Sequence, residues 1–241
     1  MEAGQRLLTL TNIIDVTPVQ NEQLGALGAT ADNRLFRYAQ AGASPIANGL
    51  LAVVAPVVAN HTNQAFAASS LVAINTNTVV LTIGATAITQ NQYAEGYLVI
   101  NSGTGAGYSY KINGNTAGAS GTFTTVILRE PLQAAISNST ATKGSLVPSQ
   151  FVGLVTSATT SHAVGVAYNT VPAGSFGWFQ TYGPCSAQSD ASPALQGQAI
   201  KQSVTTPGNV TVSAASTDYG LGQALNAGVS AEYRQVWLAI D

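Results

Sequence analysis

Charge is what this chain has least of: eight basic and ten acidic residues in 241 make 7%, where an ordinary soluble domain carries about 25%. General acid–base chemistry, most metal sites and phosphate clamps are assembled from such groups, so few active sites can be built here. No enzymatic activity and no cofactor are expected. The charges that exist are scattered and leave a net charge of −2. They provide no basic stripe to neutralise phosphates, so nucleic acid is not expected as a partner. Cysteine is nearly absent as well. Cys185 stands alone, which excludes an intrachain disulfide and any Cys/His zinc spacing. Long apolar runs are also missing: the uncharged stretch between Arg37 and Glu95 is most apolar over 50–59 and is interrupted there by Pro56, too short to span a bilayer. No membrane partner is expected, and residues 1–6 lack the basic and apolar runs of a secretory signal.

What remains is 46% apolar, too much for a disordered chain, with Thr, Ser, Asn, Gln and Gly supplying the polarity. Short alternating or β-branched runs recur between turn-forming residues, which is the pattern of an all-β protein. Strands are expected over 78–83, 97–101, 107–112, 122–128, 152–156, 175–182, 209–213 and 233–240. Gly103, Gly105 and Gly107 resemble a phosphate-cradling loop, but a strand and not a helix follows them, so they are read as a hairpin loop joining antiparallel strands. Residues 113–115 are read as the next turn. Helical signals are thin, a turn or two at 92–95, 132–136 and 221–226.

The N-terminus reads differently. Leu7, Leu8, Leu10, Ile13 and Ile14 form short β-like patches ahead of a Gly/Ala-rich stretch, giving an extended arm over 1–34. Such an arm cannot bury its apolar side chains against itself. It needs the body of the chain, as a first strand would, or another subunit. At its junction with the body sit Asp32, Arg34 and Arg37, the densest charge group in the chain, for which Glu95, Glu130 and Asp241 are the available partners. Buried charges must be paired, so these residues are expected to form ion pairs that fix a strand or join subunits.

Candidate chemistry is sparse. His61 and His162 are far apart in sequence and lack metal-ligand spacing, and Cys185 has no basic neighbour to activate it. Glu95, Glu130, Asp190, Asp218 and Glu232 are solitary carboxylates. Trp178, Phe179 and Tyr182 could stack on a sugar, although Phe176, Trp178 and Gln180 share one face of a strand and are expected to pack.

Three stretches carry a resemblance. Asp32-Asn33-Arg34-Leu35-Phe36-Arg37-Tyr38, then Glu95-Gly96-Tyr97-Leu98-Val99-Ile100-Asn101 leading into Gly107-Tyr108-Ser109-Tyr110-Lys111-Ile112, and Phe176-Gly177-Trp178-Phe179-Gln180-Thr181-Tyr182 with Tyr233-Arg234 near the C-terminus resemble tailed-bacteriophage virion proteins, in particular head decoration, or cement, proteins. The resemblance implies a β-tulip or β-sandwich body, a homotrimer, and a seat on the outer capsid surface where an N-terminal arm lies on the major capsid protein. Such a protein is made in the bacterial host cytoplasm and stabilises the expanded head. On this reading 1–34 is the arm, with Leu7, Leu8, Leu10, Ile13 and Ile14 as its capsid contacts. Residues 35–66 and 149–241 form the body, 67–148 is an inserted β-subdomain, and Asp32, Arg34, Arg37 and Glu95 supply ion pairs within or between subunits. Two other readings stand beside it: another phage structural part, such as a tail-tube or head-fibre subunit, and a carbohydrate-binding surface module.

Overall fold

The computed structural model describes residues 6–67, 73–136, 141–191, 194–214 and 218–241. The chain forms two compact units, one made of Met1–Ala55 with Gln150–Asp241 and one of Pro56–Ser149. In chain order the first holds β1 (Arg6–Leu7), α1 (Leu10–Ile14), β2 (Leu27–Ala29), β3 (Leu35–Gln40) and β4 (Leu51–Val53). The inserted unit follows with a 3-10 turn (Ala59–His61), β5 (Gln64–Ala65), β6 (Thr78–Thr82), β7 (Tyr97–Ser102), β8 (Ser109–Asn115), β9 (Phe123–Leu128) and β10 (Lys143–Val147). The chain then returns with β11 (Ala163–Ala167), β12 (Phe176–Gln188), β13 (Ala199–Gln202), β14 (Val210–Val212), β15 (Gly222–Ala224) and β16 (Tyr233–Ala239). The protein is all-β and sandwich-like, as its alternating pattern requires.

The inserted unit is a six-stranded sheet in the order β5-β10-β7-β8-β9-β6. A bridge between Phe66 and Leu81 joins its two edges, and the Ala67 N–H donates to the Val80 carbonyl at 2.9 Å, so the sheet nearly closes into a barrel. Alternation sends Leu98, Ile100, Tyr110, Ile112, Val126 and Leu128 inward, while Tyr97, Phe123 and Ile127 face out. The loop between β7 and β8 is the hairpin expected: Gly103, Gly105 and Gly107 have φ of 77, 80 and 91°, a conformation that glycine adopts without strain, and Tyr97 pairs with Lys111 across an antiparallel ladder. Residues 113–115 do not form the expected turn. They extend β8 along β9 through a bulge, because the buried Asn115 amide accepts from the Tyr93 N–H at 2.9 Å and donates to the Thr89 and Thr116 carbonyls at 2.9 and 3.0 Å.

The other unit is a ten-stranded sheet organised on the long strand β12. Gln180 of β12 pairs with Phe36 of β3 and Val166 of β11, and Tyr182 pairs with Leu35 of β3 and Ala239 of β16. β3 therefore runs along one edge of β12, and β11 and then β16 along the other, with a register shift between Gln180 and Tyr182. From β16 the sheet continues through β15 and β13 to β14 and curls back. Val210 bridges to Ser189 just past β12, and the Leu51 N–H donates to the Gly208 carbonyl at 2.7 Å. The curl encloses Leu51, Val53, Val166, Ile200, Val236 and Leu238. Two expectations fail here. The 221–226 stretch is strand β15 and not a helix, because Gly222 and Ala224 pair with Leu238 and Val236. The 152–156 stretch makes only isolated bridges, Leu154 to Ala41 and Val155 to Val53.

Candidate functional site

The N-terminal segment is anchored to the ten-stranded sheet. Of the two destinations open to its apolar side chains, the body takes some of them. β1 pairs in parallel with β2, which lies antiparallel on β3. Thr9 then starts α1 where a second β patch is expected. Its hydroxyl accepts from the Asn12 N–H at 3.4 Å, and the Asn12 side-chain oxygen accepts from the Thr9 N–H at 3.0 Å, a reciprocal cap that makes a five-residue helix possible. Further anchors are the Leu8 N–H to the Ala29 carbonyl at 2.7 Å, the Asn169 amide to the Ile14 carbonyl at 2.7 Å, a bridge from Thr17 to Phe176, and an Arg6–Glu22 ion pair.

This anchoring divides the five arm residues. Leu8 and Ile13 are 3% and 1% exposed and pack with Leu24, Phe36, Tyr38, Phe176 and Trp178. Leu7, Leu10 and Ile14 are 56%, 61% and 44% exposed. One segment thus covers the aromatic face of β3 and β12 and presents a second apolar row outward. Removing residues 1–30 would uncover Tyr38 and Trp178, whose rings meet edge to face at 5.3 Å, so this segment belongs to the fold.

The charge group also resolves within the chain. Arg37 makes a bidentate pair with Asp241, at 2.9 and 3.1 Å, and donates to the Gly25 carbonyl at 3.0 Å. It joins the N-terminal segment, β3 and the C-terminus in one contact. Arg34 pairs with Asp32 at 2.9 Å and lies over the rings of Phe36 and Tyr168 at 5.8 and 5.5 Å. Hydrogen bonding from Thr30, with Arg34 beside it, holds the Asp32 carboxyl below its usual range. Glu95 belongs to the inserted unit, where it sits in a turn at φ 61° and its N–H donates to the Ile112 carbonyl at 3.0 Å.

The other candidates fall to packing. His61 is buried between the Tyr93 hydroxyl at 2.7 Å and the Thr86 carbonyl at 2.9 Å, and burial pushes the Tyr93 phenol up to about 12. Burial likewise raises the Cys185 thiol to about 12, which makes it a poor nucleophile at neutral pH. Trp178 and Phe179 are buried and cannot stack on a sugar. Tyr182 lies edge-on to Trp237 at 5.6 Å. Among the described residues no three His, Cys, Asp or Glu side chains gather to hold a metal ion, and no helix is long and apolar enough to cross a membrane.

Sequence reasoning passes over Arg234. It points inward from β16, buried, donating to the Ala194 carbonyl at 2.6 Å and to the Ser189 hydroxyl. Desolvation lowers its pKa and the charge of Asp190 opposes that shift. Asp190 in turn accepts from the Ser203 hydroxyl at 2.7 Å. The one signal was position: Arg234 occupies an inward place in an alternating strand, between Tyr233 and Gln235. Comparison with family models, with curated proteins and with solved structures finds no match to this chain.

Proposed function

We propose that this chain is a structural virion protein without catalytic activity, which binds the outer surface of a tailed-phage capsid as a homotrimer and braces the expanded head against internal pressure. The observation that carries this reading is the division of the N-terminal segment: Leu8 and Ile13 clamp it to the sheet while Leu7, Leu10 and Ile14 stand exposed beside the edge strand β1. Intrachain burial has already met the entropic cost of ordering that segment, so a capsid contact made by the outward row loses little to ordering. Three such rows on one rigid trimer act at high effective concentration, and modest affinity at each suffices for lasting attachment.

The test uses the full chain and expanded heads prepared without it. Sedimentation should give three chains per particle, and the protein should co-sediment with heads to saturation. The triple variant Leu7→Asp, Leu10→Asp, Ile14→Asp should lose head binding while melting at the temperature of the parent. A monomer that ignores the heads, or a triple variant that binds them normally, overturns the reading.

A further inference from the structure

The ten-stranded sheet forks along β12, and the fork is open. Where β11 hands over to β16 on the same edge of β12, the two strands diverge and leave a cleft of about 580 Å³. One wall is the run into β11, Ser161 to Ala163, and another is Ala239 and Ile240 at the end of β16. Lys201 and Gln202 of β13 and Asp218 to Leu221 form further walls, with Thr160 and Val204 beside them. Its floor is the end of the enclosed core, where Leu221 is buried and Ala163 and Ile240 are partly so. The wall is held in place from beneath. The Gln202 side chain accepts from the Ser161 N–H at 3.2 Å and donates to the Ser157 and Thr159 carbonyls, each at 2.9 Å.

The polar groups at the mouth define what can enter. Lys201 Nζ lies 3.0 Å from Asp218 Oδ1, and Asp218 Oδ2 accepts from the Ser213 hydroxyl at 3.3 Å and the Ala214 N–H at 3.2 Å. The pair is therefore positioned by more than its own attraction. An anion drawn to Lys201 meets the Asp218 carboxylate beside it, and a cation drawn to Asp218 meets the ammonium, so a charged ligand gains little. A wholly apolar ligand would strip water from both charges and return no hydrogen bond. A neutral polyol suits both, since each hydroxyl donates and accepts: it donates to carboxylate and accepts from ammonium. Beside the pair, Tyr219 is 83% exposed, a ring face of the kind on which the C–H face of a pyranose packs. The volume is that of a small-molecule site.

We infer that this cleft binds a neutral saccharide, with one sugar ring against Tyr219 and its hydroxyls shared between Lys201 and Asp218. The site uses none of the N-terminal residues that carry the capsid reading, and the two stand or fall separately.

The experiment is saturation-transfer NMR on the full chain with maltose, lactose, cellobiose and N,N′-diacetylchitobiose, and with octanoate and inorganic phosphate as apolar-acid and anion probes. At least one disaccharide should receive saturation. Tyr219→Ala should weaken its binding about tenfold or more, as should Lys201→Gln, the loss expected for a stacking contact or a charge-assisted hydrogen bond. Tyr219→Ala leaves the melting temperature in place, because its side chain is exposed, so lost binding by that variant is not lost folding. Saturation of none of the disaccharides, binding indifferent to Tyr219→Ala, or uptake of octanoate or phosphate alone overturns the inference.

Discussion

The six-stranded barrel and the ten-stranded sheet are written in the same charge-poor alphabet, yet they fix their strands by different means. In the barrel the inward row is apolar along β6 and β7 and along β8 as far as Ile112, and its buried polar side chains include His61, hydrogen-bonded to Tyr93, and Asn115. Three of its strands, β7 to β9, follow one another in a meander, and a slip of one residue would turn each core row to solvent, so alternation specifies register, with Asn115 fixing the bulged end of β8. The ten-stranded sheet instead gathers distant pieces. β12 is bonded to β3, β11 and β16, and Arg37 reaches Asp241 across 204 positions of sequence. There the interior holds Arg234, Asp190, Gln180, Gln202, Ser203 and Asn209. Where connections are long, buried polar bonds select one pairing among many that apolar contacts would accept.

The sharpest way to break this comparison is to remove Arg234. Arg234→Met leaves Asp190 buried without the opposing cation, and the loss should be about 3–5 kcal/mol in urea unfolding. Adding Asp190→Asn should return part of it, because the uncompensated charge is then gone. A loss below about 1 kcal/mol, the range of an exposed pair, would mean that the buried charges do not hold this sheet. The fluorescence of Trp178 and Trp237 reports on this unit alone, since both tryptophans lie in it.

The barrel should respond to volume and not to charge. Leu98→Ala opens a cavity at a fully buried position and should cost about 2–5 kcal/mol. Methyl NMR signals from Ile100 and Ile112 should report that loss while tryptophan fluorescence stays near its parent midpoint. Equal shifts in both probes would show that the two units unfold as one.

This contrast also explains what could be read from the sequence. Residues 78–83, 97–101 and 122–128 mark β6, β7 and β9 to within a residue or so, because in a barrel with one wet face alternation is the register. The sheet unit hid its edges. β4, β13 and β15 are three or four residues long, too short for any period to show, and Gly222 and Ala224 look helical until Leu238 and Val236 are beside them; of the short strands only β14 was marked, by the expected stretch 209–213. For the candidate site, the division of Leu7, Leu8, Leu10, Ile13 and Ile14 into inward and outward sets was invisible, since it depends on a helix that the Thr9–Asn12 cap creates. Asp241 was legible as a partner for Arg37. The Lys201–Asp218 pair was not, because a gap of 17 residues carries no helical or strand period.

Alkali should separate the two units by their onset. Cys185 lies in the sheet unit with its thiol raised from 9.0 to about 12, and Tyr93 lies in the barrel with its phenol raised from 10.0 to about 12. Both groups are neutral when protonated, and the unfolded chain loses those protons first. The stability each contributes is therefore complete below its unfolded pKa and drains as pH rises toward about 12, by about 1.4 kcal/mol per pH unit for one group. Tryptophan-detected stability should start to fall near pH 9.0 and barrel methyl signals near pH 10.0, the ordinary values of the two groups. Cys185→Ala should flatten the first slope and Tyr93→Phe the second. Slopes that survive these substitutions would place the alkaline loss elsewhere.

The smallest effects on stability should come from the outward N-terminal row, and their smallness is what gives them meaning. Leu10→Asp changes an exposed side chain and should alter unfolding free energy by no more than about 0.5 kcal/mol, whereas Ile13→Ala, three positions along the same helix, removes a buried side chain and should cost about 2–5 kcal/mol. If the outward row served only the fold, both substitutions would act through stability, and head binding would track the melting temperature. If it is an attachment surface, the order reverses: Leu10→Asp abolishes binding at unchanged melting temperature, and Ile13→Ala retains binding below its lowered melting temperature. The two variants differ by one turn of α1, so whichever order is measured assigns the segment's two apolar rows to the sheet beneath it or to a surface outside the chain.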